Sequence, residues 1–407
     1  MRRFGLCVLC ALAHLVQSTR AEDWPQLLGP RRDGSYVGPL AKTWPKEGPN
    51  RVWEKEVGSG FAGPAVARGK VFLFHRPGDE EKLDCLDAES GKTIWSNGYP
   101  ATYRDDFRFD PGPRAIPTVG QDKVFTYGPD GMVSAVEAET GKTVWRIDAR
   151  KEFKSPKGFF GRACSPLVVD DLVLLNIGGE GGGIIAFDAA TGKVRWRAGS
   201  DEASYSSPTL AVFEGKTNAL FLTRKEFVGL NPFTGKILFA QPFSPSIDTS
   251  VSAATPIVDK DMVFISASYG AGAAAFRMEN GKPVKLWAED DVLSNHYATS
   301  VHRNGLLFGI DGRVDIGRPA LACVDWATGK SKWRQDNFGA ASLILADDRL
   351  LLLTESGELV LAGADGGAYK EVARAQVLGL GLRAYPALAD GFLYARDKRK
   401  LVKLDLR

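Results

Sequence analysis

A short phrase that ends in an aromatic residue recurs along this chain, and it restricts the fold more than any other feature. The phrase is Gly-Lys followed, three residues after the lysine, by tryptophan. Its clearest copies end at Trp95, Trp145, Trp196 and Trp333, and weaker copies end at Phe239 and Trp287. A degenerate seventh copy lies at residues 364–367. Repetition at this spacing indicates a fold built from similar units.

Each copy is preceded by a Pro or Ser that opens a short apolar run, and these openers lie about 42–53 residues apart. Residues 115–148 form one such unit, in which Gly, Pro and Asp turns separate four β-rich runs. Four strands in a repeat of this length predict one blade of a β-propeller. The openers are Pro64, Pro117, Pro166, Pro208, Pro256, Ser300, Ser342 and Pro386.

The openers predict eight blades, with seven blades as the alternative. The unit that begins at Pro386 is too short for four strands. Arg51–Val57 resembles the tryptophan-bearing fourth strand of the other units and would complete the last blade, which removes a free sheet edge. We therefore predict an all-β, eight-bladed propeller of four-stranded antiparallel blades over residues 51–407. Residues 22–50 would form an N-terminal extension.

Residues 1–21 are typical of a secretory signal peptide, with Arg2 and Arg3 followed by an apolar run over residues 4–16. We predict cleavage after Ala21 and a periplasmic or otherwise extracytoplasmic location. No later run is long and apolar enough to predict a membrane span. The leader holds three arginines and no acid, which accounts for the excess of 52 basic over 49 acidic residues. The neutral remainder argues against a nucleic-acid partner, and we expect a monomer.

The repeated phrase, together with the opening Asp23-Trp24-Pro25-Gln26, resembles the pyrroloquinoline-quinone (PQQ)-type β-propeller repeat family. That family includes PQQ-dependent alcohol dehydrogenases and the non-enzymatic outer-membrane barrel-assembly factor BamB. The resemblance implies that the aromatic residue in the outer strand of a blade docks against the neighbouring blade. These residues would be Trp53, Trp95, Trp145, Trp196, Phe239, Trp287 and Trp333.

The chain departs from the dehydrogenases of the family in its chemistry. Those enzymes hold a cation beside the quinone, use an Asp base and in many cases carry a vicinal cysteine pair. This sequence has no adjacent cysteines and no Cys-x-x-Cys-His haem motif, and no catalytic residue or metal ligand can be assigned. We expect a non-catalytic binding or scaffolding protein, similar to BamB, with envelope proteins as partners and no cofactor. The alternative is a PQQ-dependent alcohol or sugar dehydrogenase with a reduced active site, for which the resemblance implies PQQ with calcium.

The central channel is the candidate site, because residues that precede the inner strands of a propeller surround its axis. Their three arginines would attract an acidic small ligand, including a quinone tricarboxylate, or an acidic peptide tail. In the alternative, the arginines pair with Asp110, Asp201 or Asp248. The predicted ligand-binding residues are Arg114, Arg162, Tyr205, Asn295, His296 and Arg383; Phe61, Ser250 and Phe338 occupy the same position in the remaining blades.

An insertion before the second unit also stands out. Residues 103–110 interleave three aromatic residues with charged ones. Such a loop on a rigid scaffold is typical of a surface that contacts a partner. A lid held locally by salt bridges is an equal alternative.

Overall fold

The computed structural model describes residues 22–180, 182–247, 250–381 and 383–407. Within these ranges the strands form eight sheets, each with four antiparallel strands, and one sheet carries an additional strand. The prediction of an eight-bladed propeller is confirmed. The predicted leader, residues 1–21, lies outside the described residues. Among those described, no helix is long and apolar enough to cross a membrane.

The first four blades follow one another along the chain, each running from its inner to its outer strand. Blade 1 contains Ala65–Ala67, Lys70–His75, Glu80–Asp87 and Thr93–Pro100. Blade 2 contains Thr118–Gly120, Lys123–Tyr127, Met132–Glu137 and Thr143–Asp148, and is followed by a short helix, Ala149–Phe153. Blade 3 contains Leu167–Val169, Leu172–Asn176, Ile184–Asp188 and Val194–Ala198. Blade 4 contains Thr209–Phe213, Lys216–Leu222, Glu226–Leu230 and Ile237–Pro242.

The remaining blades keep the same order, except that strands N-terminal to blade 1 contribute to the last two. Blade 5 contains Ile257–Asp259, Met262–Ala267, Gly272–Glu279 and Lys282–Glu289. Blade 6 contains Val301–Arg303, Leu306–Asp311, Ala320–Asp325 and Ser331–Gln335. Blade 7 contains Ala341–Ala346, Arg349–Thr354, Glu358–Gly363 and Glu371–Gln376, with Ser35–Tyr36 added beside its inner strand. Blade 8 contains Ala387–Ala389, Phe392–Arg396, Lys400–Asp405 and Asn50–Glu56.

The Gly-Lys phrase forms the last hairpin of a blade. In blade 1, the Asp87 carboxylate accepts hydrogen bonds from the Ser90 amide and hydroxyl at 2.7 and 2.6 Å. Gly91 then adopts a φ of +70°, a conformation that glycine reaches without steric cost. The register shifts just before Trp95, and such a bulge redirects the side chain that follows it.

The redirected tryptophan docks on the next blade, as the resemblance implies. The Trp95 Nε1–H donates to the Ala138 carbonyl at 3.1 Å, and a Cβ on Gly141 would lie only 2.6 Å from the Trp95 ring. The same donation to a carbonyl of the next blade is made by Trp53, Trp145, Trp196, Trp287 and Trp333. Phe239 differs in two ways. Its ring has no N–H to donate, and a Cβ added to Gly281 of the next blade would contact no atom within 4 Å.

The ring closes through the N-terminal segment. Asn50–Glu56 pairs antiparallel with Lys400–Asp405, so that the first propeller strand is the outer strand of blade 8. This confirms the predicted closure. Because Asn50–Glu56 supplies the fourth strand of this sheet, the strand Lys400–Asp405 has no free edge.

The extension that precedes this strand crosses one end of the central channel. Trp24 forms a bridge with Val66 of blade 1, and the Arg32 guanidinium donates to the Pro166 carbonyl beside blade 3 at 2.8 Å. The extension then reaches blade 7, where Ser35–Tyr36 runs parallel to Ala341–Ala346. The channel is therefore closed at this end and accessible from the other.

Candidate functional site

A cavity of about 510 Å³ occupies the accessible end of the channel. Its volume lies within the range of about 300–1,000 Å³ that is usual for ligand sites. Leu27 of the N-terminal extension and Ile116 both line it, and they pack together with Leu28. The other described lining residues are Phe61, Phe107, Phe109, Arg114, Phe160, Ala163, Ser165, Tyr205, Ser207, Ile247, Val251, Ala253, Tyr269, His296, Tyr297, Arg313, Val314, Asp315, Arg383 and Tyr385.

Four of the six predicted ligand-binding residues line this cavity, namely Arg114, Tyr205, His296 and Arg383. Arg162 and Asn295 do not. The Arg162 guanidinium is buried and donates to the Ser155 carbonyl at 2.6 Å. The Asn295 amide is likewise buried and donates to the Ile310 carbonyl at 2.8 Å. Both side chains hold neighbouring loops together behind the cavity wall.

A constant spacing explains which residues face the cavity. The residue three positions before the opener lines it in seven of the eight blades, and in blade 7 that position is Gly339. Arg162 lies one residue before this position and its guanidinium is bound at Ser155, whereas His296, at the same offset in blade 6, does line the cavity. Of the three residues predicted at the same position in the remaining blades, Phe61 lines the cavity, whereas Ser250 and Phe338 do not. The residues at this position are Phe61, Arg114, Ala163, Tyr205, Ala253, Tyr297 and Arg383.

Arg114 is held within the wall of the cavity. Its guanidinium donates to the Asp105 carboxylate at 3.1 Å and to the carbonyls of Gly112 and Asp110 at 2.7 and 2.9 Å. Its central carbon lies 5.1 Å from the centre of the Tyr103 ring. The positive charge of Arg114 is therefore balanced by a carboxylate of the insertion that precedes blade 2.

The other two arginines among the described lining residues are paired as well. Arg383 donates to the Glu355 carboxylate at 2.8 Å, and Arg313 donates from Nε to Asp315 at 3.0 Å. The interpretation that the arginines pair with nearby acids holds for Arg114 and Arg383, but with different partners. Asp110 offers its backbone carbonyl to Arg114, whereas Asp201 accepts from Thr223 instead. Asp248 lies outside the described residues.

The aromatic hydroxyl groups around the cavity are also engaged. The Tyr205 oxygen accepts from the amides of Phe159 and Phe160, both at 3.0 Å, and Tyr385 accepts from the Thr299 amide. Tyr269 and His296 share a hydrogen bond of 2.9 Å. Burial lowers the pKa of His296 to about 4, so this imidazole is neutral at physiological pH.

The insertion before blade 2 covers part of the cavity entrance. Phe107 and Phe109 line the cavity and pack against Phe160, with ring centres 4.9 and 6.2 Å apart. Lys157 pairs with Asp106 at 2.7 Å, and Lys398 beside blade 8 donates to the Phe109 carbonyl at 3.2 Å. The loop is thus an aromatic cover fastened by charged contacts, as the interpretation as a lid held by salt bridges expects.

Sequence reasoning missed the lining residues that come from loops inside blades. Tyr269 lies between the second and third strands of blade 5, and residues 313–315 lie in the equivalent loop of blade 6. The Arg313 guanidinium stacks on Tyr269, with its central carbon 3.7 Å from the ring centre. The signal that was available is topological, since loops between the second and third strands emerge on the same face as the connections between blades.

The described residues do not fit a quinone held by a cation. No group of three or more His, Cys, Asp or Glu side chains in the described ranges could hold a metal ion. A tricarboxylate would also need unpaired positive charge, whereas Arg114, Arg313 and Arg383 each contact a carboxylate. The geometry therefore gives no support to a calcium-assisted quinone, and we derive no reaction through one.

Comparison with known proteins places these features in context. A family model, PQQ_2, described as outer membrane protein assembly factor BamB, matches residues 79–335. The protein of that name from Moranella endobia is 25% identical over 368 residues, which cover 83% of this chain and 86% of the relative.

Two solved structures share the fold at low sequence identity. BamB from Moraxella catarrhalis has a TM-score of 0.64 and 15% identity, and the match covers 88% of this chain and 99% of that one. Quinohemoprotein alcohol dehydrogenase ADHIIG from Pseudomonas putida has a TM-score of 0.67 and 14% identity, covering 95% of this chain and 80% of that one. At these identities the structures show a shared architecture only.

Proposed function

The chain belongs to the PQQ_2 family, described as outer membrane protein assembly factor BamB, and we propose that it is a non-catalytic, exported protein that binds polypeptide partners in the cell envelope. Its location would be periplasmic, as the leader-like residues 1–21 predict. Its partners would be proteins that take part in outer membrane protein assembly. The propeller supplies a rigid frame, and its loops supply the contacts.

The observation that carries this proposal is a group of exposed apolar side chains in the loops that line the cavity. We call this group the apolar rim; it consists of Phe107, Phe109, Ile247, Ile316 and Leu380, which are 48%, 48%, 47%, 75% and 80% exposed. They come from four different loops on the accessible face. Apolar side chains grouped in this way around a concave site are typical of protein interaction surfaces.

Site-specific photo-crosslinking tests this proposal. A photoreactive phenylalanine analogue replaces Leu380 in the protein expressed in cells of its native host. We expect crosslinks to outer membrane protein assembly components. The control places the same analogue at Val212, which is 63% exposed and lies in the first strand of blade 4, away from the apolar rim. Equal crosslinking from both positions, or none from Leu380, would contradict the proposal.

The dehydrogenase alternative is tested separately by thermal unfolding with and without PQQ and calcium. A ligand at 100 times its dissociation constant stabilises the folded state by about 2.7 kcal/mol, which raises the unfolding midpoint measurably. Because the cavity arginines are already paired, we expect no shift. A rise that requires both PQQ and calcium would instead support the dehydrogenase interpretation.

A further inference from the structure

The cavity below the apolar rim has the chemistry of a site for an uncharged aromatic group. Its walls present the rings of Phe61, Phe160, Tyr205, Tyr297 and Tyr385. Aromatic rings prefer offset or edge-to-face contacts with other rings at centre distances of about 4.5–7 Å. Phe160 already makes such contacts, with its ring centre 5.8 Å from that of Tyr205.

The hydroxyl groups of these tyrosines are held by hydrogen bonds within the protein, whereas Nδ1 of the lining residue His296 is buried without a partner. The hydroxyl of Tyr205 is held by backbone amides, and that of Tyr297 donates to Glu355 at 3.3 Å. Tyr385 accepts from the Thr299 amide and donates to the Tyr297 carbonyl. A ligand with charged or strongly polar groups would have to displace these bonds and leave buried groups unpaired. An apolar ligand leaves them intact.

The guanidinium groups also favour a ring over an anion. Arg383 remains paired with Glu355, while its central carbon lies 5.4–5.7 Å from the ring centres of Phe61, Phe109 and Tyr297. A guanidinium attracts the face of an aromatic ring within about 6 Å, and this interaction does not require the arginine to give up its carboxylate. Because each lining arginine is already paired with a carboxylate, the cavity favours a neutral aromatic ligand over an acidic one.

The apolar rim indicates where the aromatic group comes from. A small molecule confined to the cavity would leave Ile316 and Leu380, the most exposed members of the rim, in contact with water. A polypeptide that inserts one side chain into the cavity would cover them with its neighbouring residues. A buried aromatic anchor surrounded by weaker contacts is a common arrangement in protein interfaces.

We infer that this cavity binds an uncharged aromatic side chain of a partner polypeptide, whose adjacent apolar residues pack on the apolar rim. This inference rests on the proposed function and specifies the chemistry of the partner. The acidic ligand predicted from the three arginines is replaced by a neutral aromatic one, because the predicted positive charge is balanced inside the wall.

Calorimetric titration of the purified protein with capped twelve-residue peptides tests the inference. One peptide consists of Ser and Thr with Phe at three alternate positions, and its control has Ser in place of each Phe. N-acetylphenylalanine amide serves as the small-molecule probe. We expect the Phe peptide to bind at least tenfold more tightly than either of the other two.

Variants locate the binding. Ala253→Phe places a ring inside the cavity and should weaken binding of the Phe peptide at least tenfold. Leu380→Ser should weaken it about threefold to tenfold, because it removes one rim contact outside the cavity. Val212→Ser, which removes an apolar side chain that is 63% exposed elsewhere, should leave the affinity unchanged. Thermal unfolding of each variant establishes that it is folded.

Three results would overturn the inference. They are the absence of binding by the Phe peptide, equal binding by the Ser control or by N-acetylphenylalanine amide, and binding that neither Ala253→Phe nor Leu380→Ser weakens. If the inference fails while Leu380 still crosslinks to assembly components in the envelope, the proposed function stands. If the crosslinks are also absent, both fail.

Discussion

The contacts that join neighbouring blades and the contacts that form the cavity use similar residues in different ways. At six blade junctions, a tryptophan makes the same contact, donating from Nε1 to a carbonyl of the next blade at 2.7–3.2 Å. In the cavity, the side chain at the lining position varies between blades, from alanine at Ala163 and Ala253 to arginine at Arg114 and Arg383. Both regions are rich in aromatic rings.

The difference separates architecture from binding. A residue that recurs at one position in most blades satisfies a requirement that most blades share, and for the tryptophans that requirement is junction packing. A position that varies from blade to blade is free of that requirement. Its residues can therefore suit a ligand, as the aromatic rings of the cavity suit an aromatic side chain.

Truncating a junction tryptophan should produce the largest effect. Trp145→Ala removes a side chain that is 8% exposed, packs against Phe125 and Phe187, and donates to the Ala189 carbonyl. We expect the free energy of unfolding to fall by about 3–5 kcal/mol, measured by denaturant unfolding. The neighbouring Val144, which is 37% exposed, provides the control, since Val144→Ala should change stability by less than about 0.5 kcal/mol. Similar losses for both variants would contradict the assigned role of the tryptophan.

A buried carboxyl between blades 1 and 2 should give the next largest effect, as a pH dependence. Glu81 is 1% exposed and accepts a hydrogen bond from Tyr99 at 2.5 Å. Burial raises its pKa to about 7, against the partial opposing effect of the Tyr99 bond. Between pH 4.5 and 7 the unfolded chain releases this proton while the folded chain retains it, so stability falls as the pH rises.

Replacing Glu81 with Gln isolates this contribution. At about 1.4 kcal/mol per pH unit, Glu81→Gln should be more stable than the wild type by up to about 3 kcal/mol above pH 7. Below pH 4.5 the two proteins should be similarly stable. Unfolding measured from pH 4 to 8 provides the test, and a difference that does not vary with pH would show that Glu81 does not titrate in this window.

Replacing a hairpin glycine that contacts a tryptophan ring should give a smaller effect. Comparison with a hairpin glycine that contacts no ring separates the backbone cost from the clash with the ring. Gly141 and Gly281 lie in the last hairpins of blades 2 and 5, a four-residue loop and a two-residue turn, with φ of +74° and +71°, so the backbone cost of alanine is about 1–2 kcal/mol at either position. Only at Gly141 would the new Cβ meet a ring, that of Trp95. We expect Gly141→Ala to lose about 1–3 kcal/mol more than Gly281→Ala, and equal losses would show that the ring adapts without cost.

The same contrast explains what could be predicted from the sequence. The junctions repeat, so Trp95 and Trp145 could each be interpreted by comparison with the other, and the strand completing blade 8 was identified from Trp53. Phe239 shows the limit of this reasoning, since it matches the repeat in position but lacks the N–H that makes the bond. The pattern therefore predicted the position of Phe239 in the outer strand of blade 4, but not that this junction lacks the hydrogen bond.

The cavity could be predicted only in part because its residues do not repeat. Arg162 was assigned to the cavity, but its guanidinium instead holds the loop around Ser155, whereas His296 at the same offset in blade 6 does reach the cavity. The charge of Arg114 was recognised, but its pairing with Asp105 depends on how the insertion folds back. Loop residues such as Arg313 reach the cavity through the topology of the blade, which local sequence spacing does not encode.

Neutralising a cavity arginine should give the smallest change in stability. Arg383 and Glu355 form an ion pair of 2.8 Å between side chains that are 28% and 27% exposed. Such a pair contributes about 0–1 kcal/mol, because water screens the attraction. We expect Arg383→Gln, Glu355→Gln and the double variant each to lie within about 1 kcal/mol of the wild type, with a coupling energy below 1 kcal/mol in the double-mutant cycle. A loss as large as that of Trp145→Ala would mean that the cavity wall supports the ring as the junctions do, and the separation of binding from architecture would not hold for this blade.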